Sequence, residues 1–286
     1  MESWYALSII ALIFMGLQRF LYKVSAERRC PTAWTTFFFM ATVTVISSIF
    51  FVLSKEPLEN LRILLFMAFV NSGSFVLGTM THIEALKNIP ASVVYPIIRL
   101  NLVLVVLFSV FFFGDSLSPY QVIGVAIAIG VILMLTWEAG DRGELSGNIK
   151  RGLILVFASL LSGTVSVISS KFAAIYVGKL GFIALSYLMG TLFSLGSTKG
   201  LEREEERGNL KEALIIGLVM GLINFAGFYS FLKALSVGPL SVIASITGMH
   251  FVIAILLSIV IYKERVTSMR ILGILLTILS ILFLRK

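Results

Sequence analysis

The amino-acid sequence predicts an all-α polytopic membrane protein with ten transmembrane helices, arranged as two inverted five-helix repeats. Three observations support this fold class: the composition, the continuity of the apolar runs and an internal repeat. Of the 286 residues, 58% are hydrophobic and only 13% are charged, and the mean hydropathy is +1.00. So few polar side chains cannot form a water-soluble surface. The apolar runs are continuous rather than alternating, which favours helices over the strands of a membrane barrel.

A helix needs about 20 mostly apolar residues to cross the hydrocarbon layer of a bilayer. By this measure the candidate spans are Trp4–Tyr22, Thr32–Leu53, Ile63–Ile83, Ala91–Phe113, Pro119–Trp137, Gly152–Ser170, Phe182–Leu195, Ala213–Leu232, Leu240–Tyr262 and Met269–Leu284. An odd number of spans per half makes the halves enter the membrane in opposite directions, as in many transporters. We therefore expect one membrane domain, with a first repeat at 1–138, a linker loop at 139–151 and a second repeat at 152–286.

An internal repeat relates Glu84–Leu135 to Lys233–Leu284 without a gap, at an offset of 149 positions. Apolar matches carry little weight between membrane segments, so the signal rests on matched proline, serine and glycine residues. The matched pairs are Pro90 with Pro239, Ser109 with Ser258, and Gly124 with Gly273. Proline is favoured in the first turn of a helix, and small residues let membrane helices pack closely. The pattern indicates a duplicated scaffold in which the prolines begin helices and the glycines lie at helix contacts.

The repeat resembles the EamA-type transporters of the drug/metabolite transporter superfamily in the segments EALKNIPASVV…FFFGDSLSPYQVIGVAIAIGVILML and KALSVGPLSVI…IYKERVTSMRILGILLTILSILFL. The resemblance covers nearly the whole chain. It implies ten helices, a central cavity and the transport of small metabolites. The first repeat is also similar to small multidrug-resistance transporters, which use a glutamate of their first helix for proton exchange. Met15 and Gly163 stand at or near the equivalent positions here, so that carboxylate is missing.

Arg99 is the sharpest polar feature, because it lies nine residues into the fourth apolar run. A charge at that depth costs about 2.5–3.5 kcal/mol on insertion scales, so such residues face a cavity or a partner. We hypothesise that Arg99 binds an anionic group of a substrate, such as a carboxylate, and that Asn101 and His250 complete the polar lining. Asn101 and His250 are equivalent in the repeat. The alternative is an ion pair between Arg99 and Glu84, or a contact of Arg99 with a carbonyl group.

The third and eighth spans carry further polar faces. Asn71 and His82 belong to a set at positions 71, 75, 78 and 82, whose spacing of four, three and four places them on one helix face. Asn224 lies on a comparable face of the eighth span, with Tyr229 adjacent. These faces suit a cavity for an amphipathic metabolite, and ordinary helix packing is the alternative for each residue. His82 and His250 are the only histidines, and an imidazole can relay a coupling proton near neutral pH; the favoured alternative is a hydrogen-bonded structural histidine.

In the first span we prefer Gln18 as a cavity residue over Arg19, which we expect to reach the membrane interface. Tyr95 is a candidate because its repeat mate is Ala244, and differences between the copies indicate where substrate preference arises. Glu84 lies near a helix end, where we expect it to be solvated. The candidate substrate-binding residues are Arg99, Asn101, His250, Tyr95, Gln18, Asn71, His82, Asn224 and Tyr229.

The sequence favours a secondary transporter that moves a small metabolite, amino-acid-like or otherwise carboxylate-bearing, by alternating access between the repeats. A flippase for a lipid-linked precursor and, less favoured, an intramembrane enzyme are the alternatives. The chain has no His-Glu-x-x-His motif and no phosphate-binding Gly-x-x-x-x-Gly-Lys loop, and we predict no catalytic residues, metal or cofactor.

The expected partners are a small-molecule substrate, a coupling proton and the lipid bilayer, and the expected oligomeric state is monomer or homodimer. No nucleic-acid partner is expected, because the basic residues behind the net charge of +8 are spread over short loops. The expected location is the plasma or inner membrane of the cell, with multiple passes.

Overall fold

The structure, a computed structural model, describes residues 3–57, 60–113, 118–120, 122–124, 126–127, 130–131, 134, 148–201, 209–237, 243, 246–263 and 266–284. Within these ranges, the side chains at 92, 96, 99, 106, 109–113, 198–201, 270, 281 and 284 lie outside the description.

The described residues form long helices and contain no strand. The helices are α1 (Ser3–Glu27), α2 (Thr32–Ser54), α3 (Leu61–Leu86), α4 (Ala91–Arg99), α5 (Asn101–Phe113), α6 (Ile149–Tyr176), α7 (Lys179–Leu201), α8 (Leu210–Val237), α9 (His250–Tyr262) and α10 (Ser268–Leu284). In the described part, α1, α2, α3, α6, α7 and α8 are long and apolar enough to cross a membrane. The predicted class, an all-helical polytopic membrane protein, is therefore confirmed, whereas the count of ten spans stays a prediction.

The fourth predicted span is not a continuous helix, because it is broken at Leu100 between α4 and α5. The backbone N–H of Leu100 bonds to the carbonyl of Ile97, and that of Val103 bonds to Leu100, so both bonds span three residues instead of four. The ninth predicted span is broken in the same way at Met249, just before α9. Leu100 and Met249 are equivalent at the repeat offset, so the two halves share this break.

The helices pack in pairs that are related by the repeat. Helix α1 packs against α8, and α6, the repeat counterpart of α1, packs against α3, the counterpart of α8. Helix α2 packs against its own counterpart α7, where the hydroxyl oxygens of Thr44 and Thr191 lie 3.3 Å apart. The packing thus relates the two halves by an approximate twofold axis that passes near the α2–α7 contact.

The helix ends meet as two inverted halves require. The side-chain amide of Asn60, just before α3, donates to the carbonyl of Tyr176 at the end of α6 over 3.4 Å. Its repeat mate Asn209, just before α8, donates to the carbonyl of Arg28 after α1 over 2.6 Å. The start of one half's third span therefore lies beside the end of the other half's first span. Helices packed in this way run antiparallel.

Two residues that the repeats share have the positions that the pattern predicts. Pro90 stands immediately before α4 with φ −61° and ψ 148°, so the helix begins at the next residue. Gly124 is buried, and its carbonyl accepts a 2.8 Å hydrogen bond from the hydroxyl of Ser280 in α10. Gly124 thus lies at a contact between helices, where small residues are common in membrane proteins.

Candidate functional site

A central cavity of about 120 Å³ lies between the two halves. It is lined by α1, α3, α4 and α5 of the first half and by α6, α8, the turn before α9 and the start of α9 of the second half. The polar lining residues are Gln18, Arg19, Ser74, Thr79, His82, Asn101, Ser159, Ser166, Ser170, Asn224, Thr247 and His250. Among the described residues that line the cavity, none is an aspartate or a glutamate. The wall therefore offers hydroxyl, amide, imidazole and guanidinium groups.

The two helix breaks bring polar residues to this cavity. Asn101 is the first residue of α5 and His250 is the first residue of α9, and both are buried against the cavity. The Nδ1 atom of His250 lies 2.5 Å from the carbonyl oxygen of Thr247, to which it donates. Gly248, the repeat mate of Arg99, also lines the cavity. The structure thus places Asn101 and His250, which are equivalent in the repeat, on the wall of one cavity from opposite halves.

Arg19 lies at the cavity wall beside Gln18, so the preference for Gln18 over Arg19 as the cavity residue of this span is wrong. Helix α1 continues to Glu27, so eight residues, or about 12 Å of helix, separate Arg19 from the helix end. The guanidinium carbon lies 4.8 Å from the centre of the Tyr22 ring. The buried Nε atom has no hydrogen-bond partner among the described residues. The sequence signal for this position is an arginine beside Gln18 within an apolar run.

Gln18 belongs to a chain of buried hydrogen bonds that joins four helices. Its Nε2 donates to the hydroxyl of Tyr22 over 3.1 Å, and that hydroxyl lies 3.2 Å from the hydroxyl of Thr79. The Oε1 of Gln18 accepts from Asn224 over 3.0 Å, and Asn224 in turn accepts from the hydroxyl of Tyr187 over 2.5 Å. Tyr187 was not predicted, because one tyrosine in an apolar helix carries no distinguishing pattern. The chain links α1 and α3 to α7 and α8.

His82 lines the cavity next to two tyrosines. The centre of its ring lies 5.1 Å from that of Tyr22 and 5.1 Å from that of Tyr95, with the planes steeply inclined. Tyr95 is buried but does not line the cavity; its hydroxyl donates to the backbone carbonyl of Arg19 over 2.5 Å. Tyr95 therefore contacts the site through the backbone that carries Arg19.

Asn71 and Tyr229 do not line the cavity. The Nδ2 atom of Asn71 lies 2.9 Å from the hydroxyl oxygens of both Ser169 and Ser170, so this amide joins α3 to α6. Tyr229 stacks on Phe225 of the same helix, with ring centres 6.1 Å apart. Phe75, Gly78 and His82 of the predicted α3 face line the cavity. Asn71, on the same face, instead contacts the neighbouring helix α6. A spacing rule identifies a face and does not show which part of that face borders open space.

The side chain of Arg99 lies outside the described part of the structure, so its predicted contact with a substrate remains a hypothesis. Glu84 is buried, and the expectation that it is solvated is wrong. Its carboxylate accepts hydrogen bonds from the ammonium group of Lys87 over 2.8 Å and from the hydroxyl of Thr32 over 2.5 Å. The start of α2 packs against the end of α3 and covers this pair.

Met15 and Gly163 both line the cavity. These are the positions at which the resemblance to small multidrug-resistance transporters would place a glutamate. A methyl group at Gly163 would lie 3.2 Å from the amide nitrogen of Asn101, so the glycine leaves room for that side chain. Met15 and Gly163 therefore occupy the two cavity positions at which a proton-exchanging carboxylate would be expected.

Membrane-length helices in two halves that enclose a polar cavity define a polytopic helical membrane protein of the transporter type. The sequence profile of the EamA-like transporter family matches residues 2–137 and, separately, residues 150–286. The chain belongs to the EamA-like transporter family. The resemblance of the repeats to this family is thereby confirmed.

Several known proteins are similar to this chain. An uncharacterized transporter of Archaeoglobus fulgidus is 25% identical over 211 residues, which is 74% of this chain and 72% of the relative. The probable 4-amino-4-deoxy-L-arabinose-phosphoundecaprenol flippase subunit ArnE of Yersinia pseudotuberculosis is 36% identical over 65 residues, or 23% of this chain and 57% of the subunit. A solved crystal structure superposes with a TM-score of 0.65 and 16% identity, covering 95% of this chain and 96% of the other. That likeness shows the shared fold alone.

Proposed function

We propose that the protein is a secondary transporter that carries a small carboxylate-bearing metabolite, such as an amino-acid-like compound, across the plasma or inner membrane. The observation that carries this proposal is the position of Arg19 in a central cavity whose described lining holds no carboxylate. Membership of a transporter family supports transport rather than catalysis. The substrate class follows from the charge of the site, which is cationic.

The electrostatics favour an anionic substrate. A guanidinium group at membrane depth is costly unless it has a partner, and attraction to an opposite charge is strong where water is scarce. The Nε atom of Arg19 is a buried donor without a protein acceptor in the described part of the chain, and such donors require a ligand or water. A carboxylate supplies two acceptor oxygens in the geometry that a guanidinium prefers. A cationic substrate would meet repulsion instead.

Alternating access is supported by the way the cavity is built. Each half contributes its first, third and fourth spans to the wall, and the broken helices start their second pieces at the cavity. Transporters with inverted repeats commonly place a substrate between the halves and use discontinuous helices there. Exchange of the two halves between equivalent conformations would open the cavity to each side of the membrane in turn.

The test is uptake by the purified protein in liposomes, with and without a pH gradient. Paired substrates, each a carboxylate and its neutral amide, are compared for wild type, Arg19→Gln, Arg19→Lys, Arg99→Gln and Arg99→Lys. We expect Arg19→Gln to raise the KM for the carboxylate by about 10- to 100-fold, the range for a hydrogen bond to a charged group. Arg19→Lys keeps the charge but loses the planar fork, so its effect should be smaller.

Arg62→Gln provides the matched control, because Arg62 is exposed at the start of α3 and remote from the cavity. Carboxylate uptake that is unchanged in both Arg19→Gln and Arg99→Gln would contradict the proposal. Dependence of uptake on the pH gradient would support a coupling proton, for which His82 and His250 are the candidate carriers.

A flippase for a lipid-linked precursor is the second candidate, favoured by the local similarity to the flippase subunit ArnE. The similarity covers less than two thirds of that subunit, and a cavity of about 120 Å³ suits a small molecule better than a long lipid chain. Translocation of a fluorescent polyprenyl phosphate in the same liposomes, without uptake of any soluble carboxylate, would favour the flippase.

A further inference from the structure

The ring of Tyr22 is the surface against which the cationic side chain of the cavity rests. Tyr22 is fully buried, and the guanidinium carbon of Arg19 lies 4.8 Å from its ring centre. No described carboxylate pairs with Arg19, so the ring face is the main source of negative potential beside this charge. Among the described residues, an anion that approaches the guanidinium from the cavity therefore displaces no carboxylate partner.

The hydroxyl of Tyr22 is fixed by two contacts on different helices. Gln18 of α1 donates to it over 3.1 Å, and Thr79 of α3 lies 3.2 Å from it. Both partners are buried. The ring edge is further restrained by His82, whose ring is almost perpendicular to it at 5.1 Å. Gln18, Thr79 and His82 therefore fix the plane of the Tyr22 ring, and the ring fixes the position of the Arg19 guanidinium.

The same chain of hydrogen bonds reaches the second half of the molecule. Gln18 accepts from Asn224 of α8 over 3.0 Å, and Asn224 accepts from Tyr187 of α7. Tyr95 adds a second restraint by donating to the carbonyl of Arg19. The position of the Arg19 guanidinium thus depends on the contact between α1 and α8, which come from opposite halves.

We infer that Tyr22 is the positioning residue of the anion site: its ring holds the guanidinium of Arg19 towards the cavity, and its hydroxyl ties that arrangement to the packing of the two halves. The inference rests on the proposed function, because it assigns the anionic group of the substrate to Arg19. It adds that the affinity for the anion depends on Tyr22, a neutral aromatic side chain that does not line the cavity. It also predicts that the site is complete only while α1 and α8 keep their present contact.

The test measures a preference rather than an affinity. Phenylacetate and phenylacetamide have nearly the same shape and differ in charge, and the phenyl group suits a wall that includes Phe75, Phe228 and Phe231. Dissociation constants for both probes are measured by calorimetry on the purified full-length protein in detergent. The variants are Tyr22→Leu, which removes the ring, Tyr22→Phe, which keeps it, and Tyr22 replaced by a trifluorinated phenylalanine. Fluorination weakens the negative ring face at almost constant volume, so it remains informative even if Tyr22→Leu does not fold.

We expect wild type to prefer phenylacetate, and we expect this preference to fall by about tenfold in Tyr22→Leu, within the range of a partly desolvated cation–π contact. The trifluorinated side chain should lose most of the preference, whereas Tyr22→Phe should retain more of it. Thr79→Val, which removes one partner of the hydroxyl and leaves the ring, should lower the preference by a few-fold at most.

The results separate the positioning role of Tyr22 from the anionic substrate class. If wild type prefers phenylacetate and every Tyr22 variant keeps that preference, the positioning role is overturned and the anionic substrate class stands. If the variants weaken both probes by the same factor, Tyr22 only supports packing and the inference is again overturned. If wild type does not distinguish the probes, the anionic substrate class fails and the inference fails with it.

Discussion

Leu100 and Met249 interrupt their helices in almost the same backbone conformation, although 149 positions separate them in the chain. Leu100 has φ −70° and ψ 0°, and Met249 has φ −75° and ψ −2°. The residue after each break, Asn101 or His250, is buried against the cavity. The duplication has therefore preserved the bend of the helix while the polar group delivered by that bend has changed. The bend belongs to the scaffold, and the amide and imidazole belong to the site.

The polar groups behind the two breaks should contribute to substrate affinity in a comparable way. We expect Asn101→Leu and His250→Leu each to raise the KM for a carboxylate substrate by about 2- to 10-fold, as for the loss of one hydrogen bond. The measurement is uptake kinetics in liposomes. Leu256→Ala is the control, because Leu256 is exposed on the outer face of α9. If neither polar variant differs from Leu256→Ala, the breaks do not deliver substrate contacts.

The fold class could be predicted from hydropathy, and the equivalence of Asn101 and His250, which both line the cavity, could be predicted from the repeat. The break at Leu100 could not, since the apolar run Ala91–Phe113 continues through it and a hydropathy rule sees no interruption. A bend that is stabilised by packing leaves no local signal in composition.

The position of Arg19 at the cavity wall does not follow from hydropathy, because the predicted first span ends at Tyr22, whereas α1 continues to Glu27. Arg19 is three residues from the end of the predicted span and eight residues from the end of α1. Hydropathy underestimates this helix because Lys23 is charged, yet its side chain is buried and pairs with Glu27 over 2.6 Å. A hydropathy rule takes such a lysine for a helix end, because it cannot detect that the side chain is buried and its charge paired.

A carboxylate placed in the cavity should abolish the preference for anions. Met15 lines the cavity four residues before Arg19 on the same helix, so a glutamate there can form an ion pair with the guanidinium. We expect Met15→Glu to lose most carboxylate uptake, while Met15→Gln, which has the same size without the charge, keeps the greater part of it. Uptake kinetics for both variants decide the matter. Equal carboxylate uptake by the two variants would show that Arg19 does not bind the substrate anion.

The buried pair of Glu84 and Lys87 should stabilise the fold only as a pair. Their side chains are 8% and 7% exposed, and removing one charge of a buried pair typically costs about 3–5 kcal/mol because the other is left uncompensated. We therefore expect Glu84→Met to lower the thermal midpoint in detergent strongly, and Glu84→Met with Lys87→Met to recover part of the loss. Lys233→Met is the control, since Lys233 is the exposed repeat mate of Glu84. A double variant that is less stable than Glu84→Met alone would contradict this view.

Cys30, the only cysteine of the chain, should react slowly with maleimides at neutral pH. It lies between α1 and α2 and is fully buried, and this burial, reinforced by the negative charge of Glu212, raises the pKa of its thiol. The thiolate is the reactive form, so a raised pKa lowers the reactive fraction at pH 7, and labelling should accelerate as the pH rises towards that pKa. The measurement compares the labelling rate of wild type with that of Ser54→Cys, which places a thiol at the exposed last residue of α2. Equal rates at pH 7 would show that Cys30 is accessible, and that the contact between the end of α1 and the start of α2 opens readily.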